Sequence, residues 1–355
     1  MNGAVLAGLL SAASLPGSSH AGVFSSATLK GFDVYRSSVV TESYLRQRYA
    51  GMIQEYAALR NDGRASMFRR AQTMKAKIEG ELKAYGGLAF AEIHYGDYWT
   101  STGRVAYVTF DLVDRADAAG RMPFKAAPMG SPLDPENLLA AWKEYSDLGM
   151  SLKLSAQLGL ERPSCPAFYC TYGSATPELE AFEKKFVLHV PGVKKLLLEV
   201  LDGDAVPARR SAAMYLLSYL PGGAEVVGIA LKTLEDPDAG VRGAALQVLS
   251  DIAVYRKDVP IDIAKISPAL DYPTTSDRSK ALGVLIGLAD NPGNEGALRK
   301  NPPRRVLDLL KLKQPVCHDS AYTFLVMLTK ETHDRMDFAS WEKWLANPPP
   351  LPKKK

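Results

Sequence analysis

The chain has 355 residues, 46% of them apolar and 23% charged, an ordinary composition for a soluble globular protein with material for two cores. Lysine and arginine number 43 against 39 acidic side chains, a net charge of +4, and three of the positives are Lys353, Lys354 and Lys355 at the tip. So neutral a body carries no electrostatic footprint for nucleic acid or for an anionic membrane, and neither is expected as a partner.

Residues 1–22 do not read as domain material. A short apolar run, Ala4 to Leu10, precedes small residues and then Ser19-His20-Ala21, a small-x-small pattern ahead of Gly22. The stretch resembles a secretory signal peptide, although the basic start of such leaders is missing and the first lysine is Lys30. The resemblance implies a bacterial protein that is periplasmic or secreted. The run is too short to span a bilayer, so no stable membrane insertion is expected.

Residues 23–115 predict a small α+β domain. Phe32 to Tyr35, with Val39 and Val40, suggests a first strand. Tyr44, Leu45, Tyr49, Met52, Ile53 and Tyr56 form one helical stripe; Met67, Ala71, Met74, Ile78 and Leu82 form a second. Asn61-Asp62-Gly63 separates them, and Gly86-Gly87 ends the second helix. Two strands follow, Leu88–Trp99 and Arg104–Val113, the latter with Ala106, Val108, Phe110 and Leu112 pointing inward. Leu29-Lys30-Gly31-Phe32-Asp33-Val34 and Tyr85-Gly86-Gly87-Leu88-Ala89-Phe90, in this βααββ order, resemble a POTRA-type module. That resemblance implies a domain that binds partners by adding a strand to its sheet edge.

Residues 116–133, rich in Gly, Pro, Ala and Met, read as a linker. A helical domain is expected over 134–346. Asp134 is placed to cap its first helix, with Pro135 in the first position and Leu133 stapled onto Leu138. The loop Arg162–Ser174 interrupts the helical pattern, and Thr176-Pro177-Glu178 starts another helix.

The densest pattern runs from Asp236 to Leu249. Asp236 and Pro237 are read as a helix start, followed by Arg242 and by Val241, Ala244, Ala245, Val248 and Leu249 on one face. Arg210, Ala212, Ala213, Leu216 and Leu217 match it at an offset of 32; Arg278, Ala281, Leu282 and Leu285 recur at an offset of 36 from Arg242. A weaker copy runs through His318, Ala321, Phe324, Leu325 and Leu328. Short apolar helices are expected between the copies, at Val193–Leu201, Ala224–Leu234, Ile261–Leu270 and Arg304–Leu312. Two helices per unit and a period in the thirties predict a solenoid. The Asp-Pro, Val-Arg, Ala-Ala, Leu string resembles the HEAT-repeat family. In that family the Asp and Arg tie neighbouring units together, which implies structural roles for Asp236, Arg210, Arg242 and Arg278. Trp341 and Trp344 are read as a closing cap, and residues 347–355 as a Pro- and Lys-rich tail.

The expected fold is therefore mainly α, a HEAT-like α-α superhelix preceded by a small α+β domain. Cys165 and Cys170 sit in a turn-rich loop and read as a disulfide, with free thiols the main alternative. Cys317 reads as a buried small hydrophobe. The strings of serine hydrolases, phosphate loops, zincins and dinucleotide binders are absent, so no catalytic residue, metal ligand or cofactor is assigned. The functional expectation is a non-enzymatic scaffold of the cell envelope that binds a protein or peptide on its helical-repeat surface. The alternative is an envelope enzyme, or an accessory subunit of one, with its site near the Cys165–Cys170 loop.

Overall fold

The computed structural model describes residues 27–101, 103–159 and 161–349. The leader-like residues 1–22 and the end of the tail lie outside them. In chain order the elements are β1 (Thr28–Tyr35), α1 (Glu42–Asn61), α2 (Ala65–Ala84), β2 (Leu88–Thr100), β3 (Gly103–Asp114), α3 (Ala118–Arg121), α4 (Leu138–Leu154), α5 (Pro177–His189), α6 (Lys194–Gly203) and α7 (Pro207–Leu217). They continue with α8 (Gly223–Thr233), α9 (Ala239–Tyr255), α10 (Ile263–Ile266), α11 (Thr275–Ala289), α12 (Glu295–Lys300), α13 (Val306–Leu310), α14 (Pro315–Thr329) and α15 (Phe338–Ala346). The chain is thus mostly helical after a small sheet. It divides into two compact units: one gathers the residues up to Pro123 with Leu270–Ser279 and Arg304–Pro349, the other Phe124–Ala269 with Lys280–Pro303.

In the first unit the sheet has the order β1-β3-β2, with β1 parallel and β2 antiparallel to β3. Val108, Phe110 and Leu112 of β3 pack on Leu45, Tyr49, Ile53 and Tyr56 of α1 and on Ala71, Ile78 and Leu82 of α2. This is the apolar alternation read from the sequence. Gly86 and Gly87, at φ +89° and +74°, turn the chain from α2 into β2, a conformation that side chains disfavour. Val39 and Val40 fall outside β1. The turn holding them is tied down by Asp114, whose carboxylate accepts from the Ser38 amide at 2.7 Å and the Ser37 hydroxyl at 2.6 Å.

The other face of β3 is equally buried, with Thr109 at 0% and Asp111 at 1% exposure. Residues from the C-terminal part of the same unit cover it. Asp111 accepts from the Thr275 amide at 2.7 Å, and Asp33 of β1 accepts from the Lys313 and Gln314 amides at 2.9 and 3.0 Å. Asp33 thereby serves orphan donors at the start of α14. In α15, Trp341 is fully buried and meets the Tyr322 and His333 rings edge-on.

In the second unit α4 packs on α5 and α7, α6 on α7, and α8 on α9, while α7 packs on α9. Val241, Ala245, Val248, Leu249 and Ile252 of α9 are all at 0% exposure. Two expected helix starts are corrected. Asp238, not Asp236, caps α9, accepting from the Gly240 and Val241 amides. The reason is that the Asp236 carboxylate is already engaged by Arg210. Asp134 does cap α4, but from a distance, accepting from Leu139 and Ala140 across a turn in which Glu136 and Asn137 have positive φ. Leu133 is 88% exposed and makes no staple. Thr176 caps α5 as read, accepting from the Leu179 amide.

Candidate functional site

The arginines singled out in the sequence adopt one recurring geometry. Each donates through Nη1 to the backbone carbonyl six residues before it: Arg210 to Asp204 at 2.8 Å, Arg242 to Asp236 at 2.9 Å, Arg278 to Tyr272 at 3.0 Å. Each reaches back over the turn that leads into its own helix. At the first two turns the preceding Asp also folds onto the amide two residues on, Asp204 onto Val206 and Asp236 onto Asp238, both at 2.8 Å. The offset of 32 is therefore an equivalence of hydrogen bonds as well as of residue types. His318, which replaces Arg in the fourth copy, lies with Nδ1 2.7 Å from the Leu310 carbonyl.

The far sides of the guanidinium groups differ. Arg210 grips both oxygens of Asp236 at 2.8 Å, a buried bidentate pair that joins α7 to the turn leading into α9. Arg242 lies 3.9 Å from the centre of the Phe124 ring. Arg278 pairs with Asp111 of β3 and lies 3.9 Å from the Tyr35 ring. Asp111 and Tyr35 both come from strands, and nothing near Arg278 in sequence marks them.

Cys165 and Cys170 form a disulfide, with Cα atoms 5.7 Å apart. The loop it closes is fastened to the helices of the second unit. The Phe168 amide donates to the Ser218 carbonyl at 3.0 Å, and the Cys170 amide to Asp251 of α9 at 3.3 Å. Tyr169 stacks on Tyr215, which stacks in turn on Trp142 of α4. Arg162 closes the loop from outside, pairing with Asp251 at 3.2 Å and covering the Tyr255 ring at 3.5 Å. Phe168, Tyr169 and Tyr172 of this segment are all buried.

Two acids lie in this region. Burial raises the Asp251 carboxyl to about 6, against the pull of Arg162 and the Cys170 amide. Glu183 is 1% exposed and accepts from the Tyr145 and Tyr219 hydroxyls at 2.7 and 2.8 Å. Burial raises its pKa also, and the two hydroxyls oppose the shift. Glu183 sits among rings and was not marked by any local pattern beyond a Glu on an aromatic helix face.

In the first unit, burial pushes the Cys317 thiol up to about 12 and lowers His94. A thiol so raised is protonated at neutral pH and is no nucleophile. Its neighbourhood of Arg278, Asp111 and Asp33 is a packed polar layer. Among the described residues no group of three or more His, Cys, Asp or Glu side chains gathers as a metal set. No helix among them is long and apolar enough to cross a membrane. Compared with family models, curated proteins and solved structures, the chain gives no match.

Proposed function

We propose that the chain is a non-enzymatic interaction protein of the bacterial cell envelope, holding a protein or peptide against a HEAT-type helical-repeat surface. The recurring arginine-to-carbonyl bond supports the repeat reading, and the βααββ order supports the POTRA-type reading of the sheet domain. The disulfide supports an oxidising compartment.

One observation carries the functional part. The conspicuous charged side chains of the repeat are used inside, whereas large apolar ones stand in water along α4 to α7. Leu188 is 73% exposed, and Met150, Leu154, Leu196 and Val206 are each about half exposed. Large exposed apolar side chains are the groups that a contact surface would bury. The test is capture from an envelope extract of the native host with the full chain and with the Leu188→Ser/Leu196→Ser variant. The wild type is expected to retain a stoichiometric partner and the variant to lose it with an unchanged Tm. Equal capture by both, or capture of nothing, contradicts the reading.

A second reading rests on Asp251, since a carboxyl titrating near 6 suits general acid or base work. It makes the disulfide loop the edge of an active site. Turnover in a hydrolase substrate screen that disappears in Asp251→Asn would establish it over the first.

A further inference from the structure

The residues between the sheet domain and α4, read from sequence as a linker, are an ordered strap in the second unit. Residues 124–132 lie along the turns that join α8 to α9 and α6 to α7. The Lys125 amide donates to the Glu235 carbonyl at 2.8 Å and the Gly130 amide to the Gly203 carbonyl at 2.9 Å. Glu235 and Gly203 are 32 residues apart, the same offset that relates Arg242 to Arg210, so the strap binds equivalent carbonyls of consecutive units. In return the Ala205 amide donates to the Gly130 carbonyl at 2.8 Å, and Arg209 to the Pro132 carbonyl at 2.7 Å. At the start of the strap the Phe124 ring lies against the Arg242 guanidinium.

The strap is held by its backbone more than by burial. Lys125, Ala126, Ala127, Met129, Gly130 and Ser131 are exposed, and Met129 is 93% exposed. Between strap and turns a cavity of ≈ 30 Å³ remains, bounded by Lys125, Pro128, Leu201, Lys232 and Pro237 among others. A segment with few buried apolar contacts opens at low free energy. What it leaves behind is the Glu235 and Gly203 carbonyls, 32 residues apart in sequence, with the Ala205 amide beside the second, main-chain groups of the kind that recognise extended peptides.

We propose that this ridge of turns is a binding site for an extended peptide, and that residues 124–132 occupy it in cis. The proposal rests on the reading of the chain as a peptide- or protein-binding molecule and adds to the exposed apolar side chains of α4 to α7 a site at these turns, with its ligand chemistry. The competing ligand is an extended segment with an aromatic residue for Arg242 and a glycine six positions later. Glycine is required there because a Cβ on Gly130 would lie 2.6 Å from the Gly203 carbonyl oxygen.

The test uses a fluorescein-labelled peptide with the sequence of residues 121–133 and the full chain, wild type and Gly130→Val. The Cβ of Gly130→Val lifts the strap, so trypsin is expected to cut after Lys125 in the variant and to spare that bond in the wild type. Fluorescence anisotropy is expected to show the peptide binding the variant at least tenfold more tightly than the wild type. A peptide carrying the same glycine-to-valine change is expected not to bind. A strap still protected in Gly130→Val, equal affinity for both chains, or no binding to the opened variant would each overturn the proposal. Should Gly130→Val fail to fold, Phe124→Ala takes its place with the same readouts. Partner capture through Leu188 and Leu196 is measured separately, so failure here leaves the broader reading standing.

Discussion

Arg210 and Asp236 show what a single buried pair does in this chain. Their side chains are 2% and 9% exposed, and the guanidinium meets both carboxylate oxygens. Truncating one partner leaves the other charge buried and unpaired, which costs about 3–5 kcal/mol. Arg210→Ala is therefore expected to lose about that much stability in urea unfolding, and Arg210→Lys to recover little, because an ammonium cannot make the two parallel bonds. A loss below about 1 kcal/mol for Arg210→Ala contradicts the assigned role. Asp251 acts in the opposite sense. Its carboxyl is raised to about 6 from a usual 3.8, so the native state binds the proton more tightly than the unfolded chain. The associated stability is fully present below pH ~4 and is lost as pH rises through ~6. Glu183, also raised by burial, has the same sign. Asp251→Asn is expected to flatten part of the fall in stability between pH 4 and 7; an unchanged profile would show that Asp251 titrates normally.

At the scale of elements, the helices are where burial decides. Leu249 of α9 is fully buried between helices. Leu249→Asp forfeits about 2 kcal/mol of apolar burial and adds a desolvation penalty of several more. Cooperative melting of the second unit is expected to disappear, and a nearly unmoved transition would contradict the packing of α9. The disulfide loop makes a smaller contribution. A loop this short stabilises by at most ~2 kcal/mol on chain-entropy grounds, so its reduction is expected to shift the Tm by a few degrees and to change the near-ultraviolet signal of Tyr169 and Tyr215. Titration of the denatured protein is expected to give one thiol, from Cys317, before reduction and three after it.

Much of this was legible in the chain and some was not, for physical reasons. The stripes of α1 and α2, the two glycines before β2 and the faces of α7 and α9 followed from periodicity, because burial in a helix or strand repeats with the backbone. The start of α9 was misplaced by two residues. Asp236 and Asp238 are both good caps, and only the tertiary pair with Arg210 decides between them. The strap escaped because its bonds are main-chain bonds, and a run of Gly, Pro and Ala has the same composition whether bound or free. Asp111 escaped because its partner Arg278 is 167 residues away.

For the molecule as a whole, the proposed repeat depends on α7 and the turn leading into α9 being joined through the buried Arg210–Asp236 pair. Hydrogen exchange of wild type and Arg210→Ala tests this most directly. Protection is expected to fall in α7 and in α9 together, while α1, α2 and the sheet keep theirs. Protection lost in α7 alone, or unchanged in both helices, would contradict it.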